Sequence, residues 1–156
     1  GKLTTFRLIA LDALAAAETL LPEPAEFEDD YIFAPPSLTG EQVAPQNPGW
    51  GQRLLGRYGM VAQTLLAEAT EQERKPIGET EFCLAECRWA ARHESVQHLD
   101  DLLLRRTRLG MCLAAGGEEI FPQLETICCA ELGWDKQQWQ GELERYKTIW
   151  QRFYSF

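Results

Sequence analysis

The sequence predicts an all-α protein, a small antiparallel helical bundle preceded by an N-terminal helix and a Pro-rich linker. Three observations carry that prediction. Apolar residues recur at threes and fours along nearly every segment outside residues 22–48. No stretch alternates apolar and polar residues as a half-buried strand would, and no unit repeats at a fixed period. The breaks between periodic runs are short, which implies antiparallel neighbours. A chain of 156 residues buries about 70% of its unfolded surface, so its core needs neither metal nor disulfide.

From Thr4 to Leu21, Phe6, Ile9, Ala10, Ala13, Leu14, Ala17, Leu20 and Leu21 follow the helical period. Thr4 or Thr5 can cap the start, and Pro22 ends the run. Residues 22–48 hold six of the eight prolines and the acidic run Glu26, Glu28, Asp29, Asp30. Proline removes hydrogen-bond donors and like charges repel, so this stretch reads as an extended linker. The organisation predicted is a terminal helix at 1–21, a linker at 22–48 and a helical domain at 49–156.

Within that domain, Trp50, Leu54, Leu55 and Tyr58 make a short helix that Gly59 ends. A run from Met60 to about Glu71 directs Val61, Leu65 and Leu66 inward. Lys75-Pro76-Ile77-Gly78 is a turn. Cys83 to Ala91 form a helix with Phe82, Ala85, Trp89 and Ala90 on its packing side. Ser95 is the expected cap of the next, whose Val96, Leu99, Leu102, Leu103 and Leu109 recur at helical spacing. Gly116-Gly117 is a break, and Pro122 belongs in the first turn of the helix that follows. Gly133 ends that helix. Asp135 caps the last one, where Trp139, Leu143, Tyr146, Trp150 and Phe153 are spaced 4, 3, 4, 3.

A formal charge of −9 argues against nucleic acid and against an anionic membrane surface, which both require positive faces. No apolar run approaches the roughly 18–20 residues of a membrane span, and the N-terminus lacks a signal-peptide layout. The sequence opens on Gly1 without an initiator Met, so a segment of a longer protein is expected. Cys83, Cys87, Cys112, Cys128 and Cys129 are odd in number and lack zinc-type spacing, which predicts reduced, mostly buried thiols and no metal.

Self-contained catalytic motifs are missing: there is no phosphate-cradling glycine loop, nucleophile elbow or zinc helix. Of two histidines, His98 stands one turn from Glu94 and is expected to pair with it. The densest polar cluster is Glu86, Arg88, Arg92, His93, Glu94, Asp100, Asp101, Arg105, Arg106 and Arg108. Asp101 and Arg105 are four apart in the favourable acid-first order. The cluster reads as an ion-pair network fixing how two helices cross. A sharper reading has Arg105, Arg106 or Arg108 reach across a boundary to another domain.

These residues also carry a resemblance. Glu86-Cys87-Arg88-Trp89-Ala90-Ala91-Arg92-His93-Glu94, followed by Leu99-Asp100-Asp101-Leu102-Leu103-Leu104-Arg105-Arg106-Thr107-Arg108, resembles the signature of the C-terminal helical domain of FAD-dependent glycerol-3-phosphate dehydrogenases and oxidases. Arg57-Tyr58-Gly59 resembles the family's Arg-Tyr-Gly turn. Glu131-Leu132-Gly133-Trp134-Asp135 resembles the break before its last helix. The opening Gly1-Lys2-Leu3-Thr4-Thr5-Phe6-Arg7 is similar to the stretch that closes its flavin domain.

The resemblance implies part of a flavoprotein oxidising glycerol 3-phosphate to dihydroxyacetone phosphate with FAD and a quinone-type acceptor; dehydrogenase, the commoner class, and oxidase both stay open. It implies cofactor contacts at Gly1, Lys2, Leu3, Thr4 and Thr5, and a substrate-phosphate or flavin-carbonyl contact at Lys2. Interdomain or structural roles fall to Arg92, His93, Glu94, Asp101, Arg105, Arg106 and Arg108. No catalytic residue is expected within the segment, whose partner would be its own upstream FAD domain. The implied location is cytoplasmic, with any membrane attachment supplied by the rest of the enzyme. The first helix is expected to leave its apolar face open and so to fold back, pair with a second copy or be disordered. The competing reading is a free-standing helical protein-interaction module.

Overall fold

The computed structural model describes residues 3–21 and 37–155, and residues 1–34 and 35–156 form separate compact units. All described secondary structure is helical, apart from an isolated antiparallel bridge between Pro76 and Cys83.

In the first unit, a 3-10 turn at Leu3–Thr5 opens α1 (Phe6–Ala16), and a second 3-10 turn follows at Glu18–Leu20. The helix predicted through Leu21 therefore tightens at Ala17, whose N–H is shared between the carbonyls of Ala13 and Leu14 at 3.1 Å each. Such shared bonds are how helix ends close. None of the residues of α1 is buried. Phe6, Leu8, Ile9, Leu11 and Leu14 are all exposed.

The second unit holds α2 (Gly40–Val43), α3 (Pro48–Tyr58), α4 (Ala62–Glu68), α5 (Leu84–His93), a π-helix at Asp101–Arg106, α6 (Leu109–Cys112), α7 (Phe121–Leu132) and α8 (Lys136–Phe153). Residues 37–48, read above as linker, pack here instead. Thr39 starts α2 with a capping box to Gln42, and Asn47 caps α3 through the Trp50 N–H at 3.2 Å. Gly40 and Gly51 let α2 and α3 meet backbone to backbone: a Cβ on Gly40 would lie on the Pro48 carbonyl oxygen and 2.6 Å from the Gln52 nitrogen.

Two apolar clusters share α5 as their wall. Cys83 and Ala85, with Trp89 alongside, face Val43, Leu54, Leu55, Ala62 and Leu65. Leu84, Cys87, Ala90 and Ala91 face Leu99, Leu102, Leu103, Leu124, Ile127, Trp139 and Tyr146. A helix buried on two sides needs small residues, which α5 supplies with its alanines and Cys87. Val61, expected inward, is 42% exposed. It sits in the 3-10 turn Gly59–Val61 ahead of α4, off the stripe that Leu65 and Leu66 occupy.

The stretch after α5 departs most from expectation. Ser95 has a φ of 52° and caps nothing, because it turns the chain. The orphan N–H groups beyond it are taken by Asp101, which accepts from Gln97 and His98 at 3.1 and 2.9 Å. Glu142 of α8 accepts from Leu99 at 3.0 Å. The π-helix then closes with the Thr107 N–H and hydroxyl both donating to the Leu102 carbonyl, at 3.0 and 2.8 Å. Its wider turn permits three consecutive leucines, Leu102, Leu103 and Leu104, to be buried. Downstream, Pro122 stands in the first turn of α7, Gly133 ends it with a φ of 70°, and Asp135 caps α8 through the Gln138 N–H at 2.8 Å.

Candidate functional site

The polar cluster singled out in the sequence resolves into three carboxylate-centred clamps, two of them on α5. The first is built on Glu86, which has no exposed surface. Arg53 of α3 holds it with two hydrogen bonds of 3.0 Å. The Tyr58 hydroxyl and the Cys83 N–H each donate to it at 3.1 Å, and Arg57 approaches to 3.9 Å. The Cys83 bond is the reach-back half of a capping box at the start of α5. Arg53 also lies 4.3 Å above the Phe82 ring. Planar, two-pronged arginine contacts of this kind fix orientation as well as distance. Burial, with Glu86 beside it, pushes the Tyr58 phenol well above its ordinary range. That phenol is therefore a donor and no base at neutral pH.

The second clamp lies on the outer side of α5. Arg88 binds Glu73 and reaches Glu131 at 2.5 Å. Arg92 joins Glu131 at 2.8 Å to Glu68 at 2.5 Å. Glu73 is desolvated, which alone would raise its pKa. The hydrogen bonds from Arg88 and Thr70 outweigh this and hold it below the usual carboxylate range. For Glu131 the bond from Arg92 dominates in the same direction. Arg88 and Arg92 thereby tie α5 to α7 and to the end of α4.

The third clamp joins α8 to the π-helix. Asp100, 2% exposed, is held by Arg105 and Arg145. Burial raises its pKa, the two guanidinium groups lower it more, and the net direction is down. Glu142 binds His98 Nδ1 at 2.9 Å. The expected Glu94–His98 pair does not form: α5 stops at His93 and Ser95 redirects the chain, so those two residues share no helix.

The residues assigned interdomain or structural roles thus divide. Arg92, Asp101 and Arg105 lie in clamps, Asp101 meeting Arg105 at 3.0 Å. His93 stacks on Trp89 with ring centroids 4.0 Å apart. Glu94 works through its backbone, its carbonyl accepting from Arg106 Nε at 2.8 Å. The Arg106 carbonyl in turn accepts from Arg57. The Arg108 side chain has no hydrogen bond or ion pair among the described residues, and its φ is 62°. Leu3, Thr4 and Thr5 form the turn that opens α1; Gly1 and Lys2 lie outside the described residues.

Sequence reasoning listed Glu86 and Asp100 but missed their partners Arg53 and Arg145, which stand 33 and 45 positions away. Three of the five cysteines are inert through burial, while Cys112 is exposed and Cys129 half-buried. Cys83, Cys87 and Cys128 are buried, and burial pushes the Cys83 and Cys128 thiols up to about 12, far from the thiolate form.

Glu73, Glu86, Asp100 and Glu131 are gripped by arginines that arrive from other parts of the fold, an arrangement that joins helices. A family model described as the C-terminal domain of alpha-glycerophosphate oxidase matches residues 40–139. The chain belongs to this family. It is 30% identical over 162 aligned residues to a glycerol-3-phosphate dehydrogenase of Mycobacterium leprae, covering 95% of this chain and 28% of that protein. It is 34% identical to glycerol-3-phosphate dehydrogenase 1 of Mycobacterium bovis, over 71% of this chain and 22% of that one. A mitochondrial glycerol-3-phosphate dehydrogenase of Arabidopsis thaliana is 25% identical, over 99% of this chain and 29% of its own. The chain therefore spans less than a third of these relatives. No solved structure matches it. The matched region takes in every clamp, from Arg53 to Glu131, except the contribution of α8 beyond Trp139.

Proposed function

We propose that this chain is the C-terminal part of a flavoprotein that oxidises glycerol 3-phosphate to dihydroxyacetone phosphate, using FAD and a quinone-type acceptor. Its helical domain is a structural cap without activity of its own, organised as a terminal helix of an upstream FAD domain, a linker and the cap. The observation that carries the reading is the family membership of residues 40–139, together with relatives that bear the dehydrogenase name. The enzyme is placed in the cytoplasm, with any attachment to the membrane lying outside this chain; among the described residues no helix is long and apolar enough to cross one.

The opening residues fit a cofactor contact. The first turn of α1 carries no acidic side chain, so the partial positive charge at its amino end is not neutralised locally. FAD, when bound, supplies the hydride acceptor. The part this chain plays is to set the turn Leu3–Thr5 and the amino end of α1 where negative charge would arrive. Lys2 would hold the substrate phosphate or a flavin carbonyl, and Thr4 and Thr5 would bond the cofactor or cap the helix. The exposed apolar face of α1 also suits the second reading, a free-standing interaction module.

Lys2→Ala in the full natural enzyme separates these. Loss of a charged hydrogen bond to phosphate should raise the KM for glycerol 3-phosphate, lower turnover, or both, by about tenfold to a hundredfold. Unchanged turnover and KM would remove Lys2 from the site.

A further inference from the structure

The chain is acidic overall, yet one region is the reverse. From Leu102 to Gly117 there are three arginines, Arg105, Arg106 and Arg108, and no acidic residue. From Arg145 to Phe156 there are three more cations, Arg145, Lys147 and Arg152, and again no acid. The fold brings these two segments together. The Tyr146 hydroxyl donates to the Gly116 carbonyl at 2.6 Å, and Trp150 Nε1 donates to the Gly110 carbonyl at 2.7 Å.

Four of the six cations are committed within the unit. Arg105 and Arg145 hold Asp100, Lys147 meets Glu118 at 3.3 Å, and Arg106 holds the Glu94 carbonyl. Arg108 and Arg152 have no carboxylate among the described residues; Arg152 only lies over the Phe153 ring at 5.1 Å. Met111, three positions after Arg108, is 50% exposed, and Phe153 and Tyr154, which follow Arg152, are 67% and 38% exposed. Arginine set among exposed aromatic and methionine side chains is the composition that enriches protein interfaces.

The backbone points the same way. Arg108 is held in the left-handed region, which side-chain-bearing residues seldom enter. Its neighbours impose this conformation. Thr107 is fully buried, its hydroxyl bonded to the Leu102 carbonyl, and Leu109 is fully buried on the other side. A strained residue over-determined by its surroundings, with an unused charge aimed at solvent, is what a recognition position requires.

We infer that this arginine–aromatic face, centred on Arg108 and Arg152, is where the domain docks onto a carboxylate-rich protein surface in the rest of a longer polypeptide. The inference rests on the reading of the domain as a cap within such a polypeptide. Charge complementarity selects the occupant: two unpaired guanidinium groups are satisfied by carboxylates.

The 156-residue sequence has two methionines, Met60 and Met111, in separate peptides that mapping after dilute-peroxide oxidation follows individually in the full natural chain. Met111 should be protected by docking. The R108E/R152E variant should speed its oxidation about tenfold by raising the undocked population. Met60 should keep its rate, and R108K/R152K should keep Met111 slow. Should the charge reversal impair folding, Arg108→Gly relieves the left-handed strain while removing the charge, and should speed Met111 likewise. A Met111 rate that charge reversal leaves unchanged would overturn the inference. So would protection that appears only when vesicles containing phosphatidylglycerol are added, since the occupant would then be lipid. Flavin binding is scored separately. A chain without flavin whose Met111 still responds loses the flavoenzyme reading and keeps the docking face.

Discussion

Replacing Glu86 with Ala should destabilise the helical domain by about 3–5 kcal/mol, the usual result of removing one side of a buried ion pair. The side chain has no exposed surface and satisfies two prongs of Arg53, the Tyr58 hydroxyl and the Cys83 N–H at once. Without it, the Arg53 guanidinium, its side chain 19% exposed, keeps only the exposed Glu81 carboxylate at 3.9 Å as counter-charge. The Cys83 N–H at the start of α5 also loses its acceptor. Because these partners come from α3 and α5, the damage should appear as loosening of α3 against α5. Urea unfolding followed by tryptophan fluorescence reads the total, and hydrogen exchange at Gly51–Tyr58 locates it. A loss below about 1 kcal/mol would mean that solvent reaches the carboxylate and that the clamp is a surface pair.

Gly51→Ala should destabilise by about 1–3 kcal/mol even though alanine is the better helix former. A Cβ there would lie on the Gly40 carbonyl oxygen and 3.0 Å from the Gly40 Cα. Both of those are backbone, so relief requires α2 to move off α3. Gly56 lies in the same helix with nothing within 4 Å of its would-be Cβ. Gly56→Ala should therefore stabilise by about 0.5–1 kcal/mol through propensity alone. The opposite signs at two glycines of one helix, read as shifts in Tm, check the close contact. Two shifts of the same sign would contradict it.

Much of this fold was legible because its rules are local. Periodicity located α3, α5, α7 and α8, and Gly133 with Asp135 marked the break between the last two. The failures share one cause: they occur where partners distant in sequence decide local structure. The expected Ser95 cap and Glu94–His98 pair both assumed a continuous helical register after α5. Asp101 and Glu142 close that turn instead, and nothing near Ser95 in the sequence reports on Glu142. The π-helix was hidden for a related reason, since its leucines fit an α-helical period almost as well. Residues 37–48 looked like linker through their prolines, yet Thr39 caps α2, Gly40 of that helix packs on α3, and Pro48 stands in the first turn of α3.

The candidate site followed the same division. The cluster from Glu86 to Arg108 was visible as composition, and its division into clamps was not, because Arg53, Glu73, Glu131 and Arg145 arrive from other helices. Arg108 could be distinguished from Arg105 and Arg106 only once the fold had engaged the other two.

As the proposed cap of a glycerol-3-phosphate-oxidising flavoprotein, the chain should belong to a longer protein whose bound flavin is reduced by that substrate. The most direct measurement takes the longest natural chain containing this sequence, adds glycerol 3-phosphate without oxygen, and follows the visible absorbance of bound flavin, with residues 1–156 alone as the control. Bleaching in the long chain and no bound flavin in the control are the expected results. No flavin in either would contradict the proposed cap role and leave a helical interaction module whose partner is another protein.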